Sequence, residues 1–155
     1  MRLLIAVVLV GTHAGCASTR AGASAAPGMK SVRSAHDVKT TIDRLEAAAR
    51  ARGLNVFARI DHAGGAQRIG KSLRPTEVLI FGNPQGGTPL MECAQTVGID
   101  LPLKALAWRD ASGVVWLGYA ETRAVVDRHG GGGCQPAVDN VTRALEGLVA
   151  EAIKP

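Results

Sequence analysis

Leu103-Lys104-Ala105-Leu106-Ala107-Trp108-Arg109-Asp110-Ala111-Ser112-Gly113-Val114-Val115-Trp116-Leu117-Gly118-Tyr119 is the stretch that decides the fold class. Leu103 to Trp108 and Val114 to Tyr119 are two β-rich runs, and the short polar link Arg109 to Gly113 joins them as a hairpin. A link this short forces the two strands antiparallel and fixes their register. Upstream, Val78 to Phe81 is wholly apolar and reads as a central strand entered through Pro75. Leu54, Val56, Ala58 and Ile60 alternate with Asn55, Phe57, Arg59 and Asp61, the period of a strand with one buried face. Residues 30 to 34 alternate weakly and read as a further short strand.

Two helices flank this set. Val38, Ile42, Leu45 and Ala49 recur at spacings of four, three and four, and Lys39, Asp43, Arg44, Glu46 and Arg50 fill the other faces. The spacing predicts a helix over 35–52, with Ser34 at the N-cap, Asp37 at N3 and Gly53 as the stop. Pro136 opens a second helix over 136–153, whose Val138, Val141, Leu145, Leu148 and Ala152 form one apolar stripe. Residues 121 to 129 suit a shorter helix, and 63 to 73 a loop or short helical turn. Thr88-Pro89 is read as a helix start, with Leu90, Cys93, Ala94 and Val97 on one face and Gly98 as the end. Four or five strands with two amphipathic helices make an α+β single domain: a mostly antiparallel sheet with both long helices on one face.

The chain of 155 residues is the size of one domain. With 46% hydrophobic and 20% charged residues it is neither disordered nor collagen-like. The formal charge of +5 includes Arg2 and Arg20; setting these aside leaves 16 basic against 13 acidic residues, a net +3. That excess, with only 3% aromatic residues for stacking, speaks against a nucleic-acid partner. The first 16 residues read as a secretory signal: a positive Met1-Arg2, an apolar Leu3 to Val10, then small and polar residues up to Cys16. The apolar run is too short to span a bilayer. Ala14-Gly15-Cys16 resembles a bacterial lipoprotein cleavage site, although His13 occupies the position where such sites carry an aliphatic residue. Three outcomes stay open: acylation of Cys16, anchoring the chain to a membrane, ordinary cleavage after Ala23 or Ala25, or a buried or uncleaved N-terminus. Residues 17–28, rich in Ala, Ser, Gly and Pro, are expected to be a tether, and 29–155 the folded domain. The expected location is outside the cytoplasm, in a periplasm-like compartment.

An oxidising compartment gives Cys93 and Cys134 one pairing, closing a loop of about 40 residues; the alternative is two free thiols, with Cys93 a small core residue. No C-x-x-C or C-x-x-C-H occurs, which removes thioredoxin-like and c-type haem chemistry.

Three linked segments carry a family resemblance. Gly53 to His62 (Gly-Leu-Asn-Val-Phe-Ala-Arg-Ile-Asp-His) is the first. Ile80 to Pro84 with Gly87 to Met91 is the second, and Gly98 to Lys104 is the third. In order and spacing they resemble the bacterial and archaeal family called domain of unknown function 302, and the likeness runs from about Val32 to His129, taking in Trp116, Tyr119 and Arg128-His129-Gly130. The resemblance implies a compact β-α-β(4)-α domain, often a homodimer, with no common reaction assigned to the family. The chain departs from the family in Gly130 to Gly133 and Cys134.

Candidate chemistry is sparse. Gly82-Asn83-Pro84-Gln85-Gly86-Gly87-Thr88 precedes a helix, so backbone N–H groups and the Thr88 hydroxyl are placed to receive an anion, although the P-loop lysine is missing and turn formation alone explains the composition. His62, beside Asp61 at a strand end, carries an imidazole that suits either a general base or a turn-holding hydrogen bond. No metal-ligand spacing and no G-x-S-x-G elbow occurs, so no metal, cofactor or assigned catalytic residue is expected. Two functions follow. The first is a non-enzymatic envelope module binding a small molecule or an envelope protein at a pocket lined by His62, Asn83 and Thr88. The second is a hydrolase-like or transferase-like enzyme using His62 with Asp61 as orienter and Asn83 or the Thr88 amide as oxyanion donor.

Overall fold

A computed structural model of the protein describes residues 26–155. The leader, Cys16 and most of the 17–28 tether lie outside the described residues. Among the described residues no helix is long and apolar enough to cross a membrane. Eleven elements follow in order: β1 (Met29–Arg33), α1 (Val38–Ala51), β2 (Asn55–Asp61), α2 (His62–Arg68), β3 (Thr76–Gly82) and α3 (Pro84–Cys93). A 3₁₀ turn (Gln95–Ile99), β4 (Leu103–Arg109), β5 (Val115–Ala120), α4 (Thr122–Arg128) and α5 (Gln135–Ile153) complete the chain. The five strands form one sheet in the order β1-β5-β4-β3-β2, and every neighbouring pair is antiparallel. The fold is α+β, as the hairpin and the two amphipathic helices require.

The hairpin is built as read. Trp108 pairs with Trp116 and Ala105 with Tyr119. The Asp110 carboxylate holds the turn, accepting from the Ser112 and Val114 amides at 2.8 and 3.0 Å and from Trp116 Nε1 at 2.8 Å. One sheet face sends Leu79, Phe81, Ala105, Ala107 and Leu117 into the core, all fully buried. Against them stand Ile42 and Leu45 of α1 and Leu145 and Leu148 of α5. On the opposite face Trp108 and Met29 lie so close over Gly118 that a Cβ there would stand 2.9 Å from the Trp108 ring. Only glycine fits beneath that indole.

Two helix starts differ from the sequence expectation. α1 begins at Val38 because the Asp37 carboxylate caps it, accepting from the Thr40 amide at 2.7 Å. Ser34 remains tied to the sheet through its amide and the Val115 carbonyl, and its buried hydroxyl meets that of Thr41 at 2.7 Å. α3 begins at Pro84, with Asn83 as the cap, so Thr88-Pro89 lies inside the helix.

β2 departs most. Its register shifts between Val56 and Ala58, so Phe57 is an extra residue on the bulged strand. Val56 pairs with Phe81 on the helix side, but beyond the bulge it is Arg59 that pairs with Leu79 there. Ala58 and Ile60, opposite Ile80 and Val78, are turned to the outer face, and Ile60 is exposed. Arg59, brought to the helix side, bonds Asp43 of α1 at 2.5 Å and the Glu77 carboxylate. The Glu77 hydrogen bond, ahead of that from Asp43, holds the guanidinium charged well beyond its ordinary range.

Candidate functional site

An apolar cavity of about 420 Å³ opens at the seam between α3 and α5. It lies within the about 300–1,000 Å³ usual for small-molecule pockets. Five pieces of chain make it. The end of β3 delivers Gly82 and Asn83, α3 contributes Thr88, Leu90 and Met91, and the entry to β4 adds Leu101 and Leu103. The inner face of α5 closes it with Val141, Leu145 and Leu148, and Ala144 stands exposed beside them. Phe57, 58% exposed, adds its ring from the bulge in β2.

The local sequence explains the shape. Asn83-Pro84 starts α3 immediately after the central strand, with the Asn83 side-chain oxygen accepting from the Gly86 amide at 2.9 Å. Gly86 and Gly87 lack the side chains that would fill the space between α3, Leu101 and α5. At its other end α3 stops at Cys93, whose sulfur meets that of Cys134 at the N-cap of α5, with Cα atoms 5.7 Å apart. The two helices walling the cavity are thereby held at the ends where they meet.

The structure brings two of the three expected ligand residues together. Asn83 and Thr88 both line the cavity. His62 does not. In the β2–β3 register Asn55 stands opposite Gly82 and Asp61 opposite Glu77, so His62 lies at the far end of β2, about 20 Å along the strand. A pocket shared by His62, Asn83 and Thr88 is therefore not formed, nor is an oxyanion arrangement joining His62 to Asn83 or Thr88. The Asp61 carboxylate caps α2, accepting from the Gly64 amide at 2.8 Å, and His62 is exposed on the first turn. The expected anion cradle is also changed. The Gly86 amide is satisfied by the Asn83 side chain and the Gly87 amide by the Asn83 carbonyl, and the Thr88 hydroxyl stands a turn into α3 rather than at its end.

Sequence reasoning missed the apolar walls. Leu54, Leu101, Val141 and Leu148 look like ordinary core residues. The one available signal was Phe57, an aromatic residue on the solvent phase of an alternating strand.

A second cluster lies where the 3₁₀ turn meets the end of α4. The Asp100 carboxylate receives His129 Nε2 at 2.8 Å and Arg128 Nη2 at 2.9 Å, and His129 Nδ1 meets the Thr96 hydroxyl at 3.0 Å. The His129 bond first, and then Arg128, hold the Asp100 carboxyl below its ordinary range. Among the described residues no cluster of His, Cys, Asp and Glu has the makings of a metal site.

This architecture, a five-stranded antiparallel sheet backed by α1 and α5 with a Gly-Asn-Pro helix start opening a cavity, defines the class. Residues 30–152 match the family model described as Domain of unknown function DUF302, and the chain belongs to that family. A crystal structure of an uncharacterised conserved DUF302 protein from Bacillus stearothermophilus superposes with a TM-score of 0.74 at 19% identity, covering 83% of this chain and all of that one. Proteins named Fluoride-specific ion channel FluC 1 from Brucella suis biovar 1 and FluC 2 from Brucella melitensis biotype 1 are each 50% identical over 102 residues. That match covers 66% of this chain but only 40% and 38% of those proteins, so the chain spans about two fifths of the length of these relatives.

Proposed function

We propose that this DUF302 domain is a non-enzymatic, exported binding module whose ligand is a small, predominantly apolar molecule held between α3 and α5. The observation that carries this reading is the cavity itself: about 420 Å³, walled by leucine, valine, methionine and phenylalanine side chains, with Asn83 and Thr88 as its polar side chains. Such a surface gains chiefly from burying hydrocarbon. Export is supported by the charged, then apolar, then small-residue leader, with Cys16 as the membrane anchor where acylation occurs. The paired Cys93 and Cys134 suit an oxidising compartment.

Straight-chain neutral alcohols test the reading. Each methylene buried is worth about 0.8 kcal/mol, so affinity measured by displacement of N-phenylnaphthylamine should rise about fourfold per added carbon until the cavity is full. Ala144→Trp, which sets an indole beside the cavity from an exposed position on α5, should abolish this binding without lowering the melting temperature. No saturable binding by the unaltered chain, or full binding by the variant, refutes the proposal.

The Brucella relatives favour a second reading. In them a region 50% identical to this chain forms part of proteins named as ion channels, so the domain would act as a partner of a membrane channel. Copurification with a fluoride channel from the same cell supports this; separate elution removes it.

A further inference from the structure

A second cavity, of about 330 Å³, abuts the first across a shared wall of Leu90, Leu101, Leu103 and Leu145. Its chemistry is different. Lys104, Arg128 and Asp100 belong to its lining, together with Thr122 and Tyr119. Lys104 Nζ donates to the backbone carbonyls of Asp100 and Pro102 at 3.0 and 3.1 Å, and no carboxylate among the described residues pairs with it. Its positive charge is therefore oriented but not neutralised. Arg128 spends one donor on Asp100, of the five that a guanidinium carries. Asp100 already faces both Arg128 and His129, so it does not cancel Lys104 as well. Thr122 is 5% exposed, and its Oγ1 is the one buried side-chain polar atom among the described residues without a hydrogen-bond partner. A hydroxyl buried in that condition is costly unless something polar reaches it.

Resting on the apolar-cavity reading, we infer that the ligand is a single-chain amphiphile with an anionic head: its hydrocarbon tail lies between α3 and α5, and its carboxylate or phosphate head is seated by Lys104 and Arg128. Leu101 and Leu103, the half-buried members of the shared wall, are where a tail would cross from the first cavity toward the two cations. The net positive rim selects the sign of the head, and the donors left free on both cations supply charge-assisted hydrogen bonds to its oxygens.

Dodecanoate, dodecyl phosphate and dodecanol, titrated separately against the full chain, test the inference. One or both anionic probes should bind about tenfold or more tighter than the alcohol, the gain expected of hydrogen bonds to charged groups. The tighter of the two identifies the head. Lys104→Gln and Arg128→Gln change exposed side chains, and both should lower affinity for the anionic probes more than for dodecanol and so reduce this preference. The preference should also shrink as salt rises. Equal binding of acids and alcohol by the unaltered chain overturns the anionic head and leaves the apolar cavity standing. A preference that survives both substitutions places the head elsewhere and overturns the assignment to Lys104 and Arg128. Failure of all three probes to bind overturns both this inference and the reading it rests on.

Discussion

Replacing Cys93 by alanine isolates the covalent tie between α3 and α5. Cys93 is exposed and Cys134 is 1% exposed, so removing the Cys93 sulfur sacrifices little packing and leaves the buried partner in place. The two cysteines are separated by 41 positions, and a cross-link closing a loop of that length removes about 4 kcal/mol of denatured-state entropy in the chain-entropy model. At about 3–5 °C per kcal/mol for a domain of this size, Cys93→Ala should lower the melting temperature by roughly 12–20 °C. Calorimetry under non-reducing conditions measures the shift. Reductant added to the unaltered chain should reproduce it, and the variant should be indifferent to reductant. A shift under about 3 °C, too small for any loop of this length, would refute the cross-link, as would thiol titration finding Cys93 and Cys134 both free in chain recovered from an oxidising compartment.

Leu45 is fully buried where α1 meets the sheet, so Leu45→Asp places an uncompensated charge in the core and should cost at least about 4 kcal/mol in urea denaturation; an unchanged midpoint contradicts the assignment of that helix face. Asp110 should govern the acid behaviour of the hairpin. Hydrogen bonds from Ser112 and then Trp116 lower its folded pKa to about 2, against about 3.9 unfolded, so its stabilisation is fully present above about pH 4 and is lost as pH falls through 2. Trp116 fluorescence should follow that loss, and Asp110→Asn should remove the transition; a transition persisting in the variant assigns it to another group.

Where the sequence was legible, one local rule spoke without competition. The stripe Val138, Val141, Leu145, Leu148 and Ala152 repeats at helical spacing with no rival pattern, and every one of those residues is buried in α5. The hairpin carried its own turn. Where two rules competed, the tertiary structure chose. Thr88-Pro89 reads as a hydroxyl cap followed by proline, yet the helix starts at Asn83-Pro84, because Asn83 follows directly from β3 and reaches the Gly86 amide. The alternation from Leu54 to Ile60 was regular enough to hide the bulge, because a bulge is a property of two strands and only the pairing with β3 reveals it. Asn83 and Thr88 sit in one glycine-rich stretch, and both line the cavity. His62 was grouped with them on the strength of its glycine-flanked loop, a local signal that does not say which end of a strand a loop occupies.

The position of the cavity follows from the same chemistry that made α3 hard to delimit. A helix opening Pro-Gln-Gly-Gly-Thr-Pro has little side chain to offer the core in its first turn and a half, and Leu90 is its only buried residue. α5, by contrast, presents an unbroken apolar stripe to whatever stands opposite. Where the stripe passes α3 it meets Gly86 and Gly87 instead of branched side chains, and the mismatch leaves an apolar gap rather than an interdigitated seam. Unfilled apolar volume forgoes packing energy, and substituting larger residues on α3 would recover some of it. A sequence tuned for stability alone would fill that space. This one leaves the gap open, secures the neighbouring helix ends through Cys93 and Cys134, and sets two cations beside the adjoining cavity, a combination that serves occupation by a ligand better than it serves the core.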